Sequence, residues 1–325
     1  MDKTAARYSV KYNHNVYVYP VGVLLMAKTK PKHRPGSLGR AIVLGAVAFT
    51  LLYTVLIQGH NMATLNPKGW VAQQQMDITI FSAVLLLMVA VPTVGVLYFF
   101  AWKYRESNTK ATHDPQMQGG KLFILAAWGI PVAFMSVLSV AMWTSTHRLV
   151  PQQPIASKVK PMTVEVVALR WKWMFIYPEQ HIATVNFVEM PVNTPVTFEL
   201  TADDAPMSGF WIPNLGGMLY AMTGHINNLN LIATTPGDYQ GSTSEIAGAG
   251  FANMKFTARA TSQQDFDRWV TDTRYTGGVL DASEYAKLLS PSQSNPPTVY
   301  SSYETGLYAK VLMKYTNDMA GMEMK

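Results

Sequence analysis

Three apolar runs precede residue 150, and beyond it the pattern changes period. Residues 41–58 are apolar for about 18 positions, enough for a helix rising about 1.5 Å per residue to cross a hydrocarbon core of about 30 Å. Residues 77–102 and 121–143 form longer runs, and neither shows the polar stripe of a surface helix, so both read as membrane-spanning. Pro92 and Pro131 lie within them, where each removes a backbone donor and bends its helix. The apolar stretch 17–26 is too short to span.

After a polar, proline-containing linker at 150–161, apolar and polar positions alternate over 163–169, and an aromatic strand follows at 171–178. Further strand candidates are 182–188, 195–200, 228–233 and 253–260, divided by turns at Pro191-Val-Asn-Thr, Asp203-Asp-Ala-Pro and Thr235-Pro-Gly-Asp. Many short strands at this spacing predict an antiparallel β-sandwich over 162–270. Beyond it, Ser262 is placed to cap a short amphipathic helix, 281–289 reads as another stopped before Pro291, and 305–315 as a last helix or strand. The fold class is therefore α+β, with N-terminal transmembrane helices, a sandwich and a short helical tail over 271–325.

Charge supplies the orientation. Lys103, Arg105, Lys110 and Lys121 flank the loop between the second and third runs, and a block of five basic residues (Lys28, Lys30, Lys32, Arg34 and Arg40) stands immediately before the first. The connector 61–76 carries only Lys68. Basic loops stay in the cytoplasm, so residues 1–40 are expected inside and everything after Trp143 on the opposite, periplasmic side. Trp102 and Trp143 stand at span ends, as interfacial aromatics do. The net charge of +6 sits beside the apolar runs and reads as topology, not as a nucleic-acid footprint. Met26, just ahead of the basic block, is the expected physiological start.

The chain has 325 residues and no cysteine, which excludes disulfides, iron–sulfur clusters and thiolate-ligated metal. There is no Gly-rich phosphate loop, no His-Glu-x-x-His and no serine nucleophile elbow. His181 and His225 are the histidines of the sandwich, and both read as surface or structural; Asp204 and Glu245 read as loop carboxylates. No catalytic, cofactor-binding or metal-binding residue is expected in this chain.

Several blocks together carry a resemblance: Phe100-Ala-Trp-Lys-Tyr-Arg105, Trp171-Lys-Trp-Met-Phe-Ile-Tyr-Pro-Glu-Gln180, Ile182-Ala-Thr-Val-Asn186, Ile212-Pro-Asn-Leu-Gly216, Tyr220-Ala-Met-Thr-Gly224, Pro236-Gly-Asp-Tyr239 and Met254-Lys-Phe256. From Leu65 to about Leu289 the sequence resembles subunit II of the haem–copper terminal oxidases, in the quinol-oxidising branch typified by the cytochrome bo-type ubiquinol oxidase. The resemblance implies a cupredoxin-like sandwich. In the cytochrome c-oxidising branch that sandwich holds two copper ions on two histidines, two cysteines, a methionine and a glutamate carbonyl. The histidine positions are Ser208 and Phe251 here and the cysteine positions Thr243 and Ala247, while Glu245 and Met254 remain. Hydroxyl and methyl groups cannot replace bridging thiolates.

What the resemblance implies for function is a non-catalytic subunit of a complex that oxidises ubiquinol, reduces O2 to water and pumps protons. Haems and one copper would lie in subunit I, ubiquinol would reach it from the membrane, and small subunits III and IV would complete the assembly without cytochrome c. The alternatives are a membrane-anchored periplasmic binding or assembly module, or a copper-containing cytochrome c oxidase subunit II. One departure concerns the lipoprotein signal common in the branch: His60 stands where the acylated cysteine would be, so 41–58 is either a retained third span or a signal cleaved after Gly59 or Ala63.

Overall fold

The computed structural model describes residues 45, 47–54, 62–112 and 120–322, with 316–322 described in backbone alone. It divides into two units, Met1–Val55 and Leu56–Lys325. In the first, residues 47–54 are helical, and Phe49 and Tyr53 stack one turn apart at 6.3 Å. The basic block, Met26, His60 and half of the expected span over 41–58 lie outside the described residues.

In the second unit, α1 (Trp70–Lys103) and α2 (Lys121–Arg148) are long and apolar enough to cross a membrane, and their apolar windows are wholly exposed. Both prolines are accommodated within continuous helix. At 34 residues, α1 is about 50 Å long, well beyond a hydrocarbon core of about 30 Å. The excess is at its start, seven residues before the expected span, where Val71 and Ala72 are buried in the globular domain. The amides of Lys68, Trp70 and Ala72 donate to the carbonyls of Asn214, Ile232 and Leu215 at 2.8, 3.2 and 3.0 Å. The open N–H groups of a helix start are thus met by the loops of the domain it enters. Gly216 makes the approach feasible: its φ is +85°, and a Cβ there would lie 2.6 Å from the amide nitrogen of Ala72.

Two sheets follow. Strands β1 (Met162–Leu169), β2 (Lys172–Tyr177), β3 (Ile182–Val185), β4 (Phe187–Pro191), β5 (Val196–Ala202), β6 (Ser208–Trp211), β7 (Met218–Ala221), β8 (Asn227–Leu231), β9 (Gly237–Thr243) and β10 (Lys255–Thr261) build the sandwich. The C-terminal part adds α3 (Gln263–Thr276), β11 (Gly278–Leu280), α4 (Ala282–Leu289), β12 (Thr298–Tyr303) and α5 (Leu307–Met322). The first sheet runs β11-β12-β3-β2-β1-β5-β8 and the second β4-β10-β9-β6-β7. Most ladders are antiparallel, while β1–β5, β4–β10 and β11–β12 run parallel.

The alternation along β1 assigns its two faces. Val164, Val166 and Ala168 face the second sheet, while Val167 and Leu169 belong to another core on the opposite side. Between the sheets, Phe210 stacks on Phe256 at 5.0 Å, and Trp173, Phe175 and Phe198 close around this pair at 5.2 to 6.1 Å. Each such aromatic pair adds about 0.5–1.5 kcal/mol beyond the area it buries.

The single strand expected over 182–188 is two strands in different sheets, broken at Asn186. Its φ of 55° is a left-handed geometry that asparagine tolerates. Its Oδ1 accepts from the Trp173 amide at 2.9 Å and its Nδ2 donates to the Asn295 carbonyl at 3.0 Å, so the corner is held on both sides. Ser262 caps α3 as expected, accepting from the Asp265 amide at 3.1 Å. Asp281 caps α4 in the same way at 2.8 Å.

The C-terminal part does more than append helices. β12 pairs antiparallel with β3, α5 brings Leu307, Tyr308 and Val311 onto Val167, Leu169, Met174 and Ile176, and α4 adds Tyr285, Leu288 and Leu289 to the same cluster. Lys172 of β2 is buried beneath this arm, and its Nζ donates to the carbonyls of Leu288 and Ser290 at 2.7 and 2.9 Å. These are the open carbonyls at the end of α4, where a cation also suits the helix dipole. Lys172→Met keeps most of the volume and removes the donor. It is expected to cost about 1–3 kcal/mol, read as a lower thermal midpoint and as earlier proteolytic cutting within 281–297.

Candidate functional site

The four substituted ligand positions cluster at one end of the second sheet. Phe210 pairs with Thr243 and Trp211 with Ser242. The Ser244 amide donates to the Gly209 carbonyl at 2.9 Å and the Thr243 amide to the Met254 carbonyl at 3.1 Å. Ser208, Thr243 and Met254 are thereby brought to one turn of structure, with Ala247 and Phe251 on the loop between the last two.

What these side chains do is packing and local bonding. Ser208 is buried, and its hydroxyl donates to the Pro206 carbonyl at 3.0 Å. Thr243 is buried with no partner for its hydroxyl among the described residues. Met254 is 1% exposed and belongs to the core between the sheets. Glu245 accepts from the Tyr220 hydroxyl at 3.4 Å. The loop is held from the side by Trp171 in the β1–β2 turn, whose indole N–H donates to the Ala247 carbonyl at 2.9 Å. A Cβ at Gly250 would lie 2.3 Å from the Trp171 ring, so only glycine lets the ring lie flat against this backbone.

Two hydroxyls, a methyl, a phenyl ring and one thioether do not make a binuclear copper site. The set lacks the bridging sulfur that holds two ions together and the imidazoles that complete their coordination. Among the described residues, no group of three or more His, Cys, Asp or Glu could hold a metal ion. His181 and His225 lie in separate exposed turns and join nothing at this loop.

A second cluster, not anticipated from the sequence, lies where the arm meets the first sheet. Asp203 is 2% exposed and accepts three hydrogen bonds: from Tyr285 at 2.6 Å, from Lys314 at 2.7 Å and from Tyr315 at 2.7 Å. The Tyr315 oxygen in turn accepts from the Asp204 amide at 2.8 Å. Burial first, and then the Asp203 carboxylate, push the Tyr285 hydroxyl far above the ordinary tyrosine range. The hydrogen bond to Asp203 likewise raises Lys314. The readable signal was the row of tyrosines at 275, 285, 300, 303, 308 and 315, all in a segment whose helices looked merely amphipathic.

Glu165 and Glu199 are directly paired across the parallel β1–β5 ladder, on the face that carries Val167 and Asp203. Tyr308 of α5 donates to the Glu199 carbonyl at 2.9 Å. Burial, reinforced by the Glu199 charge, pushes the Glu165 carboxyl up to about 7. Glu189, on the edge strand β4, is pushed up to about 7 mainly by burial, although Thr261 donates to it at 3.2 Å.

Comparison with known proteins covers both regions. Residues 179–261 match the family described as cytochrome c oxidase subunit II, periplasmic domain, and residues 274–319 match the COX aromatic rich motif. The chain is 43% identical over 261 residues to the cytochrome bo(3) ubiquinol oxidase subunit 2 of Pseudomonas putida, covering 80% of this chain and 83% of that one. Identity to the corresponding subunit of Pseudomonas aeruginosa is 40% over 266 residues, 82% and 80% of the two chains. With the ubiquinol oxidase subunit 2 of Acetobacter aceti it is 39% over 284 residues, 87% and 91%.

Two outcomes follow from the carboxylates. Asp203→Ala leaves two tyrosine hydroxyls and an ammonium without their acceptor, and is expected to destabilise the arm by roughly 2–5 kcal/mol, measured as protease release of residues beyond 281. For Glu165 the folded chain holds its proton more tightly than the unfolded chain, at about 7 against 4.5. Its contribution to stability is therefore complete below 4.5 and lost as pH rises through about 7. The thermal midpoint of the detergent-purified chain should fall across that window, and Glu165→Gln should flatten the fall.

Proposed function

This chain belongs to the ubiquinol oxidase subunit 2 family, and from that premise we propose that it is the non-catalytic subunit II of a quinol oxidase complex that reduces O2 to water and pumps protons. It is a multi-pass protein of the bacterial inner membrane with its C-terminal domain in the periplasm. The observation that carries the functional reading is the thiol-free loop: in a chain of this family, Thr243 and Ala247 stand where a dithiolate would bridge copper, and the sequence holds no cysteine at all. Without that bridge the sandwich has no means of accepting an electron from a soluble cytochrome. Electrons then enter from the membrane, with ubiquinol oxidised at subunit I, where the haems and the single copper would lie.

Subunit II on this reading contributes shape. Helices α1 and α2 pack laterally against subunit I by close van der Waals fit, since lipid offers apolar side chains no hydrophobic reason to associate. The sandwich covers the periplasmic face, and subunits III and IV complete the complex. No side chain of this chain enters the redox steps. The domain scheme that accompanies the proposal has residues 1–40 in the cytoplasm, 41–58 retained as a further span, two spans covering 77–102 and 121–143, a copper-free periplasmic domain over 162–270 and an extension over 271–325.

The test is a stoichiometry with two assays on one sample. The complex extracted from native membranes in mild detergent should carry haem, one copper and partner polypeptides per copy of this chain. Oxygen uptake should be driven by quinol and not by reduced cytochrome c. Additional copper with cytochrome c activity, or a haem-free isolated chain, would overturn the assignment.

A further inference from the structure

Where the membrane helices meet the sandwich, the chain forms a partly open cavity of about 720 Å³. Trp70, Val71 and Gln75 of α1 form one wall, His147 and Arg148 of α2 another, and Asn193 and Ile232 lie on the sandwich side. The volume lies within the range of small-molecule sites, about 300–1,000 Å³. Resting on the membrane reading above, its height is set by α2. Trp143 marks the interface, and Arg148 stands five residues further out, about 7–8 Å along the axis, at the level of lipid headgroups.

The electrostatics of the lining are one-sided. The lining contains Arg148 and His147 and no carboxylate. The Arg148 side chain is exposed and makes no ion pair or hydrogen bond with any described residue. His147 is turned back on its own helix, its ring 4.3 Å from that of Trp143 and its Nδ1–H donating to the Trp143 carbonyl at 2.8 Å. Arginine is depleted at the translocated ends of spans, so an unpaired one at the mouth of a cavity asks for an anion. Complementing the α2 dipole accounts for a cation in the last turn, but not for a partly open, acid-free cavity beside it. Polar groups for neutral hydroxyls are at hand in Gln153, Ser157 and Asn193. The apolar faces of α1 and α2 run from the cavity into the membrane, as acyl chains require.

We propose that this cavity seats the headgroup of an anionic glycerophospholipid of the outer leaflet. Its phosphate is paired with the Arg148 guanidinium, its headgroup hydroxyls are met by Gln153, Ser157 and Asn193, and its acyl chains lie along the membrane helices. A phosphoglycerol headgroup fits this chemistry. A phosphoethanolamine headgroup brings an ammonium that the lining has no carboxylate to receive. The lipid would fill the joint between membrane and periplasmic parts, where water would otherwise lie against Trp70, Val71 and Ile232.

The test uses the purified complex, delipidated in detergent and titrated with dioleoylphosphatidylglycerol or dioleoylphosphatidylethanolamine, with bound lipid counted by native mass spectrometry. Tighter retention of the phosphatidylglycerol is expected, with Arg148→Ala weakening it about tenfold or more and Arg148→Glu reversing the preference. An unaltered thermal midpoint in the variants separates lost binding from lost folding. Equal retention of both lipids, unchanged retention in Arg148→Ala, or a cavity filled by a segment of a partner subunit would overturn the proposal. Haem content and quinol-driven oxygen uptake on the same samples keep the two readings apart, because a haem-free chain that still retains the anionic lipid sinks the oxidase assignment and leaves the lipid site standing.

Discussion

The first sheet is buried on both faces, and that constraint arranges everything around it. β2 and β3 are buried at every position and β1 at six of eight. Continuous burial of this kind belongs to sheets covered twice. One cover is the second sheet, with Phe210 and Phe256 at the centre of the space between. The other has to come from elsewhere in the chain, and α4 and α5 supply it. The polar groups trapped at that second contact explain its fastenings: Lys172 finds two helix-end carbonyls, and Asp203 finds two tyrosines and a lysine. Each would be costly to bury alone and is cheap to bury in company.

What could be read in advance divides along physical lines. The apolar runs at 77–102 and 121–143, the alternation of β1 and the capping Ser262 are local patterns; the runs fall within the longer helices α1 and α2, and β1 and the cap are where the pattern places them. Strands β6, β7 and β9 did not stand out, because Ser208-Gly-Phe-Trp and Gly237-Asp-Tyr-Gln-Gly-Ser-Thr carry too few β-branched residues to signal themselves; neighbouring strands impose their conformation. The break at Asn186 was hidden for the opposite reason, since apolar residues on both sides make one unbroken run. Nothing local says that β11 and β12 join a sheet begun more than a hundred residues earlier. Nothing local says either that Lys172 and Asp203 are buried beneath the arm.

The thiol-free loop is held by contacts that involve no metal-ligating side chain. The loop at 244–253 is braced by backbone bonds to Gly209 and Met254 and by an indole lying on Gly250, so its shape depends on packing and hydrogen bonds alone. The substituted positions were legible through resemblance, but the brace was not. Trp171 is far away in sequence, and its φ of 65° is set by the turn it occupies. The same logic governs α1, whose first turn is bonded into the loops at 214–215 and 232, so that the sandwich and the helix it grows from share one continuous network of backbone bonds.

The order of these pieces along the chain has a consequence for biogenesis. The sheet is complete as far as β8 once the chain has reached Leu231, yet its outer cover is not whole until Tyr315 has crossed the membrane. During that interval Val167, Leu169, Met174 and Ile176 are bare to the periplasm. A nascent chain halted short of the final tyrosine therefore advertises a sticky surface, of the sort that folding factors hold and that quality-control proteases recognise. Leu307, Tyr308 and Val311 thus decide when that face of the sheet leaves water.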